Sequence, residues 1–248
     1  MVDEQAARGA RERDRRLAGC LTLAVLLATT ALAQAQTQTP IEIDVDAKVI
    51  PNKAGTPRHP QPVKLEVHAE LVSELGYERP IMTGGRVLFP RAGNWNGAKH
   101  PKCALNKLNR EGPGACPKGS IFGKGVAKAW ADEVITKPKI TVVNGGAKRV
   151  YFYTVLINPA RVKTAVVGEI KQLRTGPWKY RLDYQVPVSL QVVAGVPITV
   201  VELDLTVGKG DYIETTSCPK NRRWPYKAWV YLNDGREIPI TGSTPCRR

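Results

Sequence analysis

A period of two in the placement of apolar residues is the feature of this chain that most constrains its fold. Residues 41–49 alternate strictly between apolar and polar side chains. Successive side chains of a β-strand point to opposite faces, so the alternation predicts a strand with one face on a core. Three further segments show the same stripe, with these apolar positions: Val63, Leu65, Val67, Ala69 and Leu71; Trp178, Tyr180, Leu182 and Tyr184; Val201, Leu203, Leu205 and Val207.

Turn-forming residues divide the apolar segments into hairpins. Asn144-Gly145-Gly146 separates residues 140–143 from residues 150–157, and a second turn of this kind lies at 233–235. The segment 150–157 is apolar on both faces, which predicts a central strand. No segment after residue 36 has a convincing helical period, and we expect at most one helical turn within residues 188–194. These signals predict an all-β fold: a two-sheet antiparallel β-sandwich, Ig-like or jelly-roll-like, with about ten strands and little helix.

The first 35 residues have the features of a secretory signal peptide. Arginines at the start precede an apolar run at residues 17–33, and the small residues Ala33 and Ala35 form a cleavage site. We expect cleavage after Ala35. The rival interpretation is an uncleaved membrane anchor, although the run is short for a membrane span. Arg15-Arg16 leaves both the general secretory route and the twin-arginine route open.

Removal of the signal peptide leaves residues 36–248, which we predict to be a single domain. Pro, Gly and Asn residues are frequent at 50–62 and 90–120. Such residues favour turns over strands, so we expect a long loop at each of these places.

Four cysteines remain in this predicted domain: Cys103, Cys116, Cys218 and Cys246. An even number of cysteines in an exported chain implies two disulfides, and four cysteines allow three connectivities. Proximity in sequence favours the pairs Cys103–Cys116 and Cys218–Cys246. The chain has no Cys-x-x-Cys motif, so the cysteines do not indicate zinc, and we expect no metal site and no cofactor.

Several segments together carry a resemblance to a known group of proteins. They are Pro51-Asn-Lys-Ala-Gly-Thr56, Val87-Leu-Phe-Pro90, Trp95-Asn-Gly-Ala-Lys99, Leu108-Asn-Arg110, Ala115-Cys-Pro-Lys-Gly-Ser120, residues 139–156, Leu190-Gln-Val-Val-Ala-Gly-Val-Pro197, and Thr216-Ser-Cys-Pro219 through Trp224 to Cys246. In these segments the chain resembles a group of uncharacterised exported proteins of soil actinobacteria. The resemblance implies an exported, disulfide-bonded β domain, and it implies no particular activity.

The charge of the chain is strongly positive, with 37 Lys and Arg against 22 Asp and Glu and a formal net charge of +15. Near the C-terminus basic and aromatic residues interleave, so that Lys227 and Trp229 share one face of a strand and Trp224 lies on the other. One aromatic face should be core, and the other could stack on sugars while the cations hold acidic groups. The residues predicted to bind a polyanion are Arg222, Arg223, Lys227, Trp229, Lys118 and Lys124.

The expected partner is an anionic cell-wall polymer or a glycan. Nucleic acid would suit the charge but does not suit an exported protein. A membrane is expected to contact only the N-terminal segment, if that segment is not cleaved. The competing interpretation is that both aromatic sets are packed and that the lysines only aid solubility.

Motifs for nucleophilic catalysis are absent from the sequence. The three histidines, His59, His68 and His100, are expected to be solvated rather than catalytic. No serine lies in a Gly-x-Ser-x-Gly elbow, and no calcium-binding loop occurs.

Two pairs of acids are the remaining catalytic candidates. Asp132-Glu133 and the pair Glu202 and Asp204 have the residue types of a glycosidase, although any β protein contains such pairs. We therefore predict a non-enzymatic exported protein of the cell envelope or extracellular space. The alternative is a carbohydrate-active enzyme with unrecognised carboxylates, and a third class is a structural or adhesive envelope protein.

Overall fold

The structure is a computed structural model that describes residues 41–73 and 79–248. Residues 39–248 form one compact unit. The strands in the described part are β1 (Ile41–Ile50), β2 (Gln61–Pro62), β3 (Lys64–Ser73), β4 (Met82–Pro90), β5 (Gly93–Trp95), β6 (Ile121–Ala131), β7 (Val134–Thr136), β8 (Lys139–Asn144), β9 (Arg149–Leu156), β10 (Val162–Gln172), β11 (Trp178–Gln185), β12 (Val192–Val193), β13 (Val196–Val207), β14 (Ile213–Thr215), β15 (Arg223–Leu232) and β16 (Glu237–Pro245). The helices are α1 (Leu105–Glu111) and α2 (Val188–Gln191), with 3₁₀ turns at Gly97–Lys99 and Pro113–Ala115.

Thirteen of these strands form one antiparallel sheet. Its strand order is β1-β3-β13-β6-β8-β9-β10-β11-β4-β15-β16, with β12 beside β13 and β7 beside β6, and β2, β14 and β5 form a small second sheet. The all-β antiparallel prediction is confirmed, and β9 is central between β8 and β10 as expected. The division into two facing sheets is not clearly present, because the large sheet is hydrogen-bonded continuously and curls until β1 contacts β16.

The seam between β1 and β16 is held by contacts other than a strand ladder. The N–H of Ala54 donates to the carbonyl of Arg247, whose own N–H donates to the carbonyl of Asn52, both at 2.8 Å. On the inner side of the sheet, the Tyr226 hydroxyl donates to the carbonyl of Val45 at 3.1 Å. Together these hydrogen bonds tie the first strand of the sheet to the last.

A glycine makes the inner bridge possible. Gly242 of β16 lies opposite Tyr226 of β15, and a Cβ at this position would fall 2.2 Å from the Tyr226 hydroxyl oxygen. Real Cβ atoms do not approach other atoms so closely, so only glycine lets the tyrosine lie across β16 and reach β1.

The strands run up and down between two ends with different contents. At the Ile41 end lie the start of β1, the β6–β7 turn, the β9–β10 loop and α2. The opposite end holds both disulfides, and we call it the cystine end. The predicted pairs are confirmed: Cys103 bonds to Cys116 and Cys218 bonds to Cys246, with Cα–Cα distances of 5.3 and 5.8 Å.

The predicted loop at 90–120 contains a helix that the sequence analysis missed. Helix α1 begins after Ala104 without a side-chain cap and ends at Gly112, whose φ is +83°. Leu108 is fully buried among Val143, Tyr153 and other side chains on the outer side of β8, β9 and β10. Seven residues are too few to display a helical period, so tertiary packing and the nearby disulfide decide this helix. The one turn of α2 lies where it was predicted.

The described residues contain no helix long and apolar enough to cross a lipid bilayer. The predicted signal peptide and its cleavage after Ala35 lie outside the described residues, so they stay predictions.

We expect the two disulfides to differ in their contribution to stability. Cys218–Cys246 closes 28 residues and packs with Trp224 and Ala92 beside the seam, whereas Cys103–Cys116 closes 13 residues. On the chain-entropy model, replacing the pair by alanine should lower the free energy of unfolding by about 4 kcal/mol for Cys218–Cys246 and about 3 kcal/mol for Cys103–Cys116. Urea unfolding of the two double variants measures both values. The opposite order would show that the seam does not depend on the longer bridge.

Candidate functional site

One groove lies at the cystine end, between the 97–102 loop and the β8–β9 turn. Its volume is about 680 Å³. Its charged walls are the side chains of Lys102, Lys148 and Arg149, all exposed, and none of the described residues that line it is acidic. Two short backbone segments without bulky side chains also line it, Gly97-Ala98 and Gly145-Gly146. The groove therefore offers cations to an anionic ligand.

A stack of rings supports one wall of this groove. The His100 ring lies on Tyr212 with centroids 3.8 Å apart, and Tyr212 in turn stacks on Phe122 at 4.5 Å. Trp95 packs against Phe122 at 5.4 Å, and its indole N–H donates to the carbonyl of Ala147 in the turn. The expectation that His100 is solvated is therefore wrong, because stacking on the buried Tyr212 covers most of its ring. Its Nε2 lies 3.0 Å from Asp211 Oδ1, without the alignment of a good hydrogen bond.

The opposite wall depends on the buried side chain of Asn144. Its Nδ2 group donates to the carbonyls of Gly97 at 2.9 Å and Pro101 at 3.0 Å, and to that of His100 at 3.3 Å. Its Oδ1 accepts from the N–H of Gly146 at 2.9 Å. One amide therefore fixes the loop and the turn that form the groove. The sequence marked Asn144 only as a turn residue, and no local pattern shows that it reaches a loop more than forty positions earlier.

From the groove, a row of charged side chains of both signs continues across the outer face of the sheet. Arg149 on β9 lies opposite Glu169 on β10, which lies opposite Asp183 on β11. The same row continues through Arg86 on β4 to Trp229 on β15. Directly opposite residues of antiparallel strands share a face, so the row is one surface that spans four strand spacings, about 19 Å.

A second row beside the first adds more positive charge. Lys171 lies opposite Arg181, and Leu88 separates Arg181 from Lys227. We call the cations of the groove and of these two rows the basic strip. Its members are Lys102, Lys148, Arg149, Lys171, Arg181, Arg86 and Lys227.

Asp183 is the acidic centre of the strip. Its carboxylate lies 2.6 Å from Arg86 Nε, 2.8 Å from Arg181 Nε and 4.0 Å from Lys171 Nζ. Burial acts to raise the pKa of Asp183, but the hydrogen bonds and charges of the two arginines outweigh it and hold the pKa below its ordinary value. One carboxylate shared by three cations leaves positive charge in excess, and it orients the two guanidinium groups.

Trp229 marks the far end of the strip. It is half-buried on the outer face of β15, and the Lys227 ammonium lies 4.7 Å above its ring. Trp224 on the other face is buried against Cys218 and Cys246. The prediction that one aromatic face is core and the other is not thus agrees with the placement of these two rings.

The structure separates the six residues that the sequence grouped as a polyanion site. Lys227 and Trp229 lie together on β15, with Arg223 at the start of the same strand. Arg222 precedes that strand at a φ of +55°. Lys118 lies in the cystine loop and Lys124 on the outer face of β6, away from β15 in the strand order.

Lys124 borders a surface of opposite charge, on the outer faces of β1, β3 and β13. Asp44, Glu70 and Glu202 lie directly opposite one another there, and Asp46 and Asp204 flank His68. We call this surface the acidic face; its carboxylates are Glu42, Asp44, Asp46, Glu66, Glu70, Glu202 and Asp204. The molecule therefore segregates its charges despite its positive total.

His68, Glu202 and Asp204 are the described residues that could together ligate a metal ion. One ligand atom from each lies within 4.8 Å of the others. These groups already have partners: His68 Nδ1 lies 2.8 Å from Asp204 Oδ1, which raises the pKa of His68, and Lys128 Nζ lies 3.7 Å from Glu202. The sequence did not indicate this cluster because β3 and β13 are far apart along the chain.

The acid pairs that could serve a glycosidase do not line the groove. Asp132 and Glu133 are exposed in the β6–β7 turn, while Glu202 and Asp204 lie on the acidic face. Glu214 is a buried carboxylate that the sequence did not single out. Its Oε2 accepts a hydrogen bond from Asn96 Nδ2 at 2.7 Å, which holds β14 to the residue that precedes the 97–102 loop.

Comparison with known proteins adds no assignment. No protein-family model matches the chain, and no curated protein matches it significantly.

We expect Asn144→Ala to destabilise the protein strongly. The substitution leaves the buried Gly97 carbonyl, two part-buried carbonyls and the buried N–H of Gly146 without their partner, which should lower the free energy of unfolding by about 2–4 kcal/mol. Asn106→Ala is the matched control, because Asn106 is exposed on α1 and contacts only the adjacent backbone N–H, and it should change stability by less than about 0.5 kcal/mol. Urea unfolding followed by tryptophan fluorescence compares them. Equal effects would mean that Asn144 does not organise the groove.

Proposed function

We propose that this protein is an exported, non-enzymatic β protein of the cell envelope or extracellular space that binds an anionic polymer along the basic strip. The observation that carries the proposal is the excess of cations between the groove at Lys102 and Lys227: seven cations lie there, and Asp183 and Glu169 are the only opposing charges among the described residues of the two rows. The proposal keeps Lys227 and Trp229 as binding residues and adds the cations that tertiary structure brings beside them.

The geometry of the strip favours an extended ligand over a compact one. A row that crosses the strands at right angles repeats a position about every 4.8 Å. The cations lie one to three strand spacings apart along these rows. They can pair with different acidic groups of a linear polymer, and binding gains from release of the counterions that the polymer carries. A single small anion would use only the groove end.

Trp229 gives the strip a chemical preference at its far end. An aromatic ring beside a cation can stack on the apolar face of a sugar while the cation pairs with an acidic substituent. An anionic glycan or cell-wall polymer therefore suits both features, whereas an inorganic polyanion suits only the charges.

The disulfides support a ligand that is found outside the cell. The two disulfides are consistent with an extracellular or otherwise oxidising environment. Export itself rests on the predicted signal peptide, and the resemblance to exported actinobacterial proteins is part of the same proposal. Nucleic acid matches the charge but not this environment.

Charge reversal in the groove should abolish most of the binding. We expect Lys148→Glu with Arg149→Glu to weaken binding to an anionic cell-wall polymer such as teichoic acid at least about tenfold at low salt, because both cations line the groove. Binding by the unchanged chain should fall steeply as salt rises. Lys64→Glu with Lys124→Glu makes the same change in net charge outside the strip and should have a much smaller effect.

Titration calorimetry across a salt series, with a neutral glucan as the comparison ligand, makes this measurement. Equal losses of affinity in the two double variants would mean that binding depends only on net charge. The proposal that the basic strip is the binding site would then be refuted. Equal binding to the neutral glucan would refute electrostatic recognition.

Asp183→Asn should change binding and stability in opposite directions. Removing the carboxylate frees Arg86 and Arg181 for the ligand, so polymer binding should tighten. Stability should decrease near neutral pH. Because the folded pKa of Asp183 is below its ordinary value of 3.8, its ion pairs stabilise the fold above that pH and are lost as the pH falls through the folded pKa. Urea unfolding at neutral and acidic pH should therefore show a difference from the unchanged chain that disappears in acid.

A further inference from the structure

We infer that the Ile41 end of the domain is a membrane-contacting surface, whose exposed apolar side chains enter the apolar region of a lipid bilayer. The cystine end and its groove then point away from the membrane. This surface is distinct from the basic strip, and the inference does not depend on polymer binding.

Exposed apolar side chains are concentrated at this one end. The four most exposed large apolar residues of the described part are Val188 at 73%, Ile157 at 61%, Val134 at 49% and Ile135 at 44%. They come from three separate connections: α2, the β9–β10 loop and the β6–β7 hairpin. Val192 and Val72 are also exposed at this end. Large apolar groups gathered at the tips of several loops mark a surface that is covered by something else.

An aromatic residue with a cation over it lies at the rim of this apolar surface. Trp130 on β6 lies opposite Ile135 on β7, and the Arg79 guanidinium is 4.9 Å above the indole. Arg79 also donates to the carbonyl of Asp132 in the hairpin turn. Tryptophan and arginine prefer the headgroup level of a bilayer, where one part of the side chain is apolar and the other is wet. Trp130 and Arg79 beside exposed aliphatic side chains are more typical of a surface that contacts lipid than of loops that face solvent.

The chain before the domain enters at the same end. Ile41 pairs with Ser73 at the top of β1, beside the apolar surface. Residues 17–33 are the apolar run of the sequence, and only seven residues separate this run from Ile41. Seven residues reach at most about 25 Å, so a run that enters a bilayer brings this end of the domain to the membrane. The exposed aliphatic residues keep the contact when the run is cleaved.

The charged residues at the Ile41 end indicate which lipid headgroups this surface would contact. Asp132 and Glu133 are exposed at the tip of the β6–β7 hairpin, and Arg161 and Lys163 are exposed beside Ile157. Mixed charge gives no net attraction to anionic headgroups, and the acidic face lies on the neighbouring strands β1 and β3. Binding should therefore be apolar in origin and insensitive to salt, in contrast to binding by the basic strip.

The test is cosedimentation of the chain from Gln36 onward with phosphatidylcholine vesicles at low and at high salt. Residues 39–248 form one compact unit that contains both disulfides, so this part is tested without the apolar run. We expect binding to these vesicles, which carry no net charge, and we expect it to persist at high salt. Ile157→Ser with Val188→Ser should reduce vesicle partitioning about tenfold or more, since it removes the two most exposed apolar groups.

Two further variants make the result decisive. Val134→Ser with Ile135→Ser changes the hairpin instead of the other two loops and should cause a similar loss of binding. Ile50→Ser with Ile121→Ser changes apolar residues that are exposed at 43% and 38% near the cystine end, and it should bind vesicles like the unchanged chain. Circular dichroism verifies that each variant is folded.

Three results would overturn the inference. The first is no partitioning into phosphatidylcholine vesicles, and the second is an equal effect of the variants at the two ends. The third is a dimer that the Ile41-end variants abolish while vesicles remain unbound, which would make this surface an interface between two copies of the chain. If the unchanged chain binds vesicles but does not bind the anionic polymer, the proposed function is refuted and the membrane inference stands.

Discussion

The seam between β1 and β16 is the constraint on which the rest of this structure depends. A curled sheet with two open edges exposes unpaired backbone groups, which invite association with other chains. Here the seam is held by the hydrogen bonds of Arg247 with Asn52 and Ala54, and Cys246, the residue before Arg247, is bonded to Cys218. The disulfide therefore anchors the last strand at the place where it meets the first. The loops that carry the groove are built on the same end of the sheet.

Charge segregation is the second organising feature. The acidic face places Asp44, Glu70 and Glu202 directly opposite one another, an arrangement that is repulsive within a sheet. The excess of basic residues lies elsewhere, and part of it forms the strip that begins at the groove. Separation of the two signs gives the protein a directional electric field, which net charge alone does not describe, and a field of this kind orients an approaching polyanion.

The two ends of the sheet differ in chemistry as well as position. Cations line the groove at the cystine end, while Val188, Ile157 and their neighbours leave aliphatic surface at the Ile41 end. A protein held at a membrane by one end would present the other to the material outside it. The basic strip crosses the sheet between these ends, so it would be accessible to a polymer that lies above the membrane.

Period two and turn residues determined the β character and the hairpins, because strands and turns are encoded by neighbouring residues. Cysteine spacing favoured the two observed disulfides among three possible connectivities. The sequence also indicated the faces of Trp224 and Trp229. Tertiary structure alone decided that thirteen strands form one curled sheet, that α1 forms, and that Asn144 holds a distant loop. The basic strip also belongs to the tertiary structure, because strand register places Arg86 opposite Asp183 and Arg149 opposite Glu169. Register between strands far apart in the chain depends on the whole core and leaves no local pattern in the sequence.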